Sequence, residues 1–104
     1  MIEARRIWQL RFELLAEAVR IPGIRIVELD VLAYILDRYN VAEDCAWPKV
    51  ETICNDLGIG TRQAMRAVQR LCEFGLLETE KRGPGWYSYR PRLEESIEPP
   101  KADF

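Results

Sequence analysis

The sequence predicts a mainly α-helical fold with a small β-hairpin near its C-terminal end, on three observations. Apolar residues recur at helical spacing through residues 3–39. Two further short apolar segments within residues 48–75 are separated by a glycine-containing turn. A Gly-Pro-Gly sequence at 83–85 is flanked by aromatic and alternating residues that favour strands. A chain of 104 residues can bury one core, so we expect a single folded unit.

Two helices are predicted before residue 40. The first extends from Glu3 to about Arg20, and Pro22 with Gly23 ends it because proline cannot continue the hydrogen-bond ladder. Its apolar face is wide and comprises Ile7, Trp8, Leu10, Phe12, Leu14, Leu15, Ala18 and Val19. The second helix is expected to be capped by Asp30 and to reach about Tyr39. Its inward residues are Val31, Leu32, Ile35, Leu36 and Tyr39.

A third and a fourth helix are predicted after the polar loop at 40–47. Pro48 suits the first turn of the third helix, where its missing N–H is not needed, and Gly58 ends that helix. The fourth helix begins near Gly60 or Thr61 and ends at Gly75. Because only three or four residues, glycine included, join these two short helices, they indicate a helix-turn-helix unit.

The remaining residues form a predicted hairpin and a tail. Segments 76–82 and 86–92 are expected to pair as strands, with the tip at Gly83, Pro84 and Gly85 and with Pro91 ending the second strand. The tail, residues 93–104, is acidic and contains a Pro-Pro pair, so we expect it to be flexible.

Positive charge is concentrated in one third of an acidic chain. The net charge is −2, yet residues 61–92 hold seven basic and three acidic side chains. Within this segment, Arg62, Arg66 and Arg70 follow one another at one-turn spacing. They lie opposite the apolar face of the fourth helix, which consists of Ala64, Ala67, Val68 and Leu71. The local face, rather than the total charge, decides whether a polyanion is attracted.

Several classes of protein are disfavoured by composition. The chain has no histidine and three widely spaced cysteines, so we expect no metal site, cofactor or disulfide framework. The absence of histidine also removes the usual general base near neutral pH, and we expect no enzymatic activity. No apolar run is long enough to span a bilayer and the N-terminus does not read as a secretory signal, so we expect a cytoplasmic protein with no membrane partner.

The segment WPKVETICNDLGIGTRQAMRAVQRLCEFGLLE, residues 47–78, resembles the winged helix-turn-helix module of bacterial, phage and plasmid regulators and replication-initiation proteins. Such modules contain Trp-Pro, a short helix, Leu-Gly-[Val/Ile]-Ser and a helix that ends in Leu-x-x-x-Gly-Leu. The resemblance implies a winged helix-turn-helix domain at 29–92, preceded by an extra N-terminal helix and its connection at 1–28. Gly60 departs from the pattern, because the family usually has a capping serine there; Thr61 is expected to take over that cap by a one-residue shift.

The resemblance further implies that the fourth helix enters the major groove of double-stranded DNA. The residues nearest the base edges would be Thr61, Arg62, Gln63 and Arg66. Phosphate contacts would come from Lys49, Thr52, Arg70, Lys81 and Arg82. The function implied is sequence-specific DNA binding, by a transcriptional regulator or a replication-initiation factor.

Two questions stay open at the level of sequence. The wide stripe of the N-terminal helix could cover the core of its own chain or pair across a two-fold axis; we favour a homodimer. No sensing domain is visible, so we expect no small-molecule effector. The alternative function is a winged-helix adaptor that binds protein and not DNA, which the calculated pI of 5.2 would suit.

Overall fold

The computed structural model describes residues 4–93 and contains four helices followed by a two-stranded hairpin. The helices are α1 (Ala4–Val19), α2 (Ile26–Asp37), α3 (Val50–Leu57) and α4 (Thr61–Glu73). The strands are β1 (Leu77–Gly83) and β2 (Trp86–Pro91). This is the predicted fold class, a mainly helical chain consistent with a winged helix-turn-helix. The predicted flexible tail lies outside the described residues from position 94 onward.

The core forms around α2, which packs against α1, α3, α4 and β2. The predicted inward residues of α2 and α4 are all buried. They are joined by Ile53 from α3 and by Leu76, Leu77 and Tyr89 from the hairpin. Helical periodicity therefore identified the core faces of α2 and α4 correctly, because a helix buries its apolar side against its neighbours. The wide buried face expected of the first helix is only partly buried, since Trp8, Phe12 and Val19 are exposed.

The predicted start of the second helix is wrong by five residues. α2 begins at Ile26, with Arg25 as its N-cap, whereas Asp30 is an exposed residue inside the helix. Glu28 explains the earlier start, because its Oε1 accepts a hydrogen bond from the backbone N–H of Arg25 at 2.8 Å. The predicted domain boundary at residue 28 consequently falls within α2.

The predicted start of the third helix is also displaced. Pro48 precedes the helix, Lys49 is its N-cap and Val50 is its first residue. The segment before α3 is held extended by the hairpin: Ala46 exchanges two backbone hydrogen bonds with Tyr89, of 2.9 and 2.7 Å, and the Val50 N–H bonds to the Gly85 carbonyl at 3.0 Å. These contacts fasten the hairpin to the helical body and leave no room for helix before Lys49.

The hairpin itself has the predicted tip. β1 and β2 pair in antiparallel fashion from Leu77 opposite Pro91 to Gly83 opposite Trp86, with a register irregularity between Lys81 and Gly83. Gly85 has φ of +64°, a conformation that favours glycine. The predicted strand end at Pro91 is confirmed.

Candidate nucleic-acid interface

The N-terminal half of α4 presents a polar face to solvent. Ala64, Ala67, Val68 and Leu71 are buried against the core, which turns the opposite side of the helix outward. Thr61, Arg62, Gln63 and Arg66 are all exposed. Within residues 4–93 neither Arg62 nor Arg66 forms an ion pair, so both guanidinium groups keep their charge available for an external acceptor.

The turn between α3 and α4 fixes where this polar face begins. Gly58 ends α3 in the left-handed conformation, with φ of +70°, and its N–H bonds to the Cys54 carbonyl. Gly60 is the N-cap of α4 and supplies no side-chain cap, so Thr61 is the first helical residue and does not take over the capping role expected of it. The first turn of α4 therefore has no side-chain acceptor from its N-cap.

Arg70 differs from the other two arginines of the stripe. Its Nε donates to Glu28 Oε2 at 2.5 Å, and its Nη2 donates to the Gly23 carbonyl at 3.0 Å. Glu28 is only 1% exposed. Since a buried carboxylate needs a compensating charge, Arg70 is committed to this pair and braces α4 against the start of α2. The phosphate contact predicted for Arg70 would require breaking the pair.

Arg25 is a candidate contact residue that the sequence analysis did not identify. A groove of about 700 Å³ separates the start of α2 from α4, and Arg25 lines it together with Arg62, Gln63 and Arg66. Glu28 and Glu73 are its acidic lining residues, and Arg70 offsets the charge of Glu28. No local signal marks Arg25, because its proximity to α4 depends on how α2 packs.

A second cationic surface lies where the hairpin meets α3. The Arg82 guanidinium is 5.6 Å from the Trp47 ring centre and 5.8 Å from that of Trp86, and the Lys49 ammonium is 5.6 Å from the Trp86 ring centre. The Trp86 indole N–H donates to the Trp47 carbonyl at 2.8 Å. The indoles thus hold two of the predicted phosphate-contacting side chains in place through cation–π contacts.

The other two predicted phosphate contacts lie apart from this cluster. Lys81 is exposed on β1, opposite Tyr87. Thr52 is exposed on α3 and lines a recess with Arg38 and Trp47 instead of the groove beside α4. The structure therefore places the predicted base-contacting residues together on α4 and distributes the predicted phosphate-contacting residues over α3 with its N-cap, α4 and the hairpin.

The described residues offer little reactive chemistry. No group of three or more Cys, Asp or Glu side chains in residues 4–93 is arranged to hold a metal ion. Burial raises the pKa of the Cys72 thiol, which disfavours the reactive thiolate. In the same part of the chain, no helix has the length and apolarity that crossing a membrane requires.

Comparison with known proteins supports the reading of the central segment. Residues 28–77 match the family described as helix-turn-helix domain. This span contains α2 except for its first two residues, all of α3 and α4, and the first residue of β1. Neither the curated proteins nor the solved structures contain a match. Residues 28–77 are therefore similar to helix-turn-helix domains, in agreement with the helical fold of this segment.

Proposed function

We propose that this protein binds double-stranded DNA in a sequence-specific manner, with α4 in the major groove. The observation that supports the proposal most strongly is the exposed face of α4, where Arg62 and Arg66 flank Gln63 and form no ion pair with any other residue from 4 to 93. Arginine can donate two hydrogen bonds to guanine, and glutamine can bond in the same bidentate way to adenine. These side chains are therefore the proposed base readers, with Thr61 beside them at the start of the helix.

Phosphate contacts are proposed on both sides of α4. Arg25 lines the groove on the α2 side, while Lys49 and Arg82 are positioned by indole rings on the hairpin side. A recognition helix with cationic groups on either side can contact the backbone on both edges of one major groove. Lys81 and Thr52 are proposed as further phosphate contacts.

The biological role proposed is regulation of transcription or initiation of replication, as a homodimer on bacterial, phage or plasmid DNA. It rests on the resemblance of residues 47–78 to the modules of such proteins. Two-fold symmetric readers place their recognition helices about 34 Å apart, one turn of DNA.

Selection of bound duplexes from a random pool tests the proposal. We expect enrichment of one sequence, and we expect Arg62→Ala and Arg66→Ala each to lower affinity for it by at least about tenfold, since a bidentate base contact contributes roughly 1–3 kcal/mol. Thermal unfolding should be unchanged because both side chains are exposed. An unenriched pool would instead favour the protein-binding adaptor.

A charge-matched pair of variants separates phosphate contacts from base contacts. Arg25→Ala should weaken binding to all duplexes alike and reduce the slope of log affinity against log salt by about 1. Arg20→Ala removes the same charge from an exposed residue at the end of α1 that does not line the groove, and it should leave that slope unchanged. Equal slopes for the two variants would remove Arg25 from the interface.

A further inference from the structure

Helix α1 has two apolar faces, and the described residues of the chain, 4–93, cover only one of them. Ile7, Leu10, Leu14 and Ala18 are buried against the rest of the protein. On the other face Trp8 is 64%, Phe12 72% and Val19 60% exposed, and Leu15, at the edge of this face, is only partly exposed because it also packs against the core. We call Trp8, Phe12, Leu15 and Val19 the outer stripe. The two readings of α1 left open by the sequence are thus compatible, because the helix both covers the core and presents a second surface.

The outer stripe is symmetric about its own centre. Its members are separated by four, three and four positions, the spacing that keeps apolar residues on one seam of a helix pair. Because this order is the same in both directions, two copies of α1 can lie antiparallel with a two-fold axis between Phe12 and Leu15. Trp8 of one copy then meets Val19 of the other, and Phe12 meets Leu15.

Each layer of this arrangement pairs one aromatic with one aliphatic side chain. A parallel arrangement would instead place Trp8 against Trp8 and Phe12 against Phe12, with large and small layers alternating along the seam. Layers of similar volume pack more evenly than alternating ones. The composition of the outer stripe therefore favours the antiparallel register.

Trp8 is held in place before any partner arrives. The Arg11 guanidinium is 4.8 Å from the Trp8 ring centre and 5.9 Å from that of Tyr39. Arg11 Nη2 also donates to the Tyr39 carbonyl at 3.3 Å, which anchors the guanidinium to the end of α2. A side chain that is already ordered loses less entropy when it is covered.

We propose that the outer stripe binds the same stripe of a second copy of this chain, antiparallel and across a two-fold axis. The inference rests on the proposed function in one respect, since a two-fold dimer is what a palindromic DNA site would require.

The area of the contact indicates how strong the dimer is. The aromatic side chains can each bury on the order of 150 Å². The whole contact is then roughly 800 Å² over both copies, below the ~1,200 Å² of stable interfaces. The dimer is consequently weak in free solution and forms cooperatively on DNA.

Phe12→Glu tests the outer stripe, with Val41→Glu as the control. Both residues are exposed, but Val41 lies in the loop after α2, outside the stripe. On a duplex with two half-sites, the parent protein and Val41→Glu should bind cooperatively, whereas Phe12→Glu should fill the two half-sites independently. Binding to a single half-site should be equal for all three. Cooperative binding by Phe12→Glu would overturn the proposal.

The self-association can also be tested without DNA, which separates its failure from failure of the proposed function. Sedimentation velocity at increasing protein concentration should show a monomer–dimer equilibrium that Phe12→Glu abolishes and Val41→Glu retains. If no duplex is bound but this pattern holds, the function fails and the interface stands. A parent protein that stays monomeric up to millimolar concentration and binds paired half-sites independently would refute the interface.

Mixing two variants tests the register. In the antiparallel arrangement a chain with Trp8→Glu and a chain with Val19→Lys form one Glu–Lys contact and keep one Trp–Val contact. The mixture should therefore associate more strongly than either variant alone. Equal association of the mixture and the single variants would overturn the antiparallel register.

Discussion

At the scale of single residues, three arginines at equal spacing have different environments. Arg62 and Arg66 face solvent, whereas Arg70 is paired with Glu28, which lies 42 positions earlier in the chain. Arg70 is also near Phe74, with its guanidinium 5.0 Å from the ring centre. We therefore infer that Arg70 stabilises the fold and orients α4, while Arg62 and Arg66 are available to bind.

Arg70→Ala is expected to lower the free energy of unfolding by about 3 kcal/mol, because it leaves the buried Glu28 carboxylate without a counter-charge. Adding Glu28→Gln to Arg70→Ala should recover part of this loss, since glutamine removes the charge and can still accept the hydrogen bond from the Arg25 N–H. Chemical denaturation of the parent, both single variants and the double variant measures the coupling.

Salt dependence distinguishes this role from a phosphate contact. Arg70→Ala should keep the parent's slope of log affinity against log salt under conditions where it is fully folded. A slope reduced by about 1, together with unchanged stability, would restore Arg70 to the phosphate set.

At the scale of elements, the two glycines of the α3–α4 turn have different requirements. An added Cβ would meet no atom within 4 Å at either Gly58 or Gly60. Gly58 has φ of +70°, however, whereas Gly60 has φ of −83° and ψ of 164°, which suit an N-cap serine. The same substitution at the two positions therefore isolates the effect of backbone conformation.

Gly60→Ser is expected to raise the free energy of unfolding by about 0.5 kcal/mol, because the hydroxyl can accept a hydrogen bond from an N–H in the first turn of α4. Gly58→Ser should lower it by about 1 kcal/mol, because a side chain is strained at positive φ. Denaturant titration of both variants measures the difference. A loss of stability in Gly60→Ser would contradict the expected capping bond.

The elements also show how far the sequence alone leads. The spacing of apolar residues and the positions of glycines at helix ends and in the turn located the four helices and the hairpin, because those signals are local. The start of α2 was misplaced because Glu28 accepts a hydrogen bond from the Arg25 N–H, and that of α3 because a contact between distant segments, Val50 with Gly85, decides it. Arg25 was missed because its proximity to α4 depends on how α2 packs. The exposure of the four predicted base-contacting residues could be foreseen because all four lie on one helix, away from its apolar face.

At the scale of the whole molecule, buried phenol groups connect the elements. The Tyr34 hydroxyl on α2 donates to Asp56 on α3 at 2.6 Å, and burial together with this bond raises the pKa of Tyr34 to about 12. Burial likewise raises the pKa of Tyr89 to about 12, although its hydroxyl has no hydrogen-bond partner within residues 4–93. The pKa of Tyr39 is raised as well, by burial and its bond to Asp44.

These shifts predict loss of stability at alkaline pH. A phenol in the unfolded chain ionises near pH 10, whereas folded Tyr34 and Tyr89 keep their protons to about pH 12. The unfolded state thus releases protons first, so the stability that neutral phenols supply is complete below pH 10 and declines as pH rises toward 12.

Tyr34→Phe should lower the free energy of unfolding by about 1 kcal/mol at pH 8 and by progressively less above pH 10, because it removes a hydrogen bond that only the neutral phenol donates. Tyr89→Phe should be neutral or stabilising at pH 8 and increasingly stabilising above pH 10. Urea denaturation from pH 8 to 11.5 measures both, and a cost of Tyr34→Phe that grows with pH would contradict the assignment.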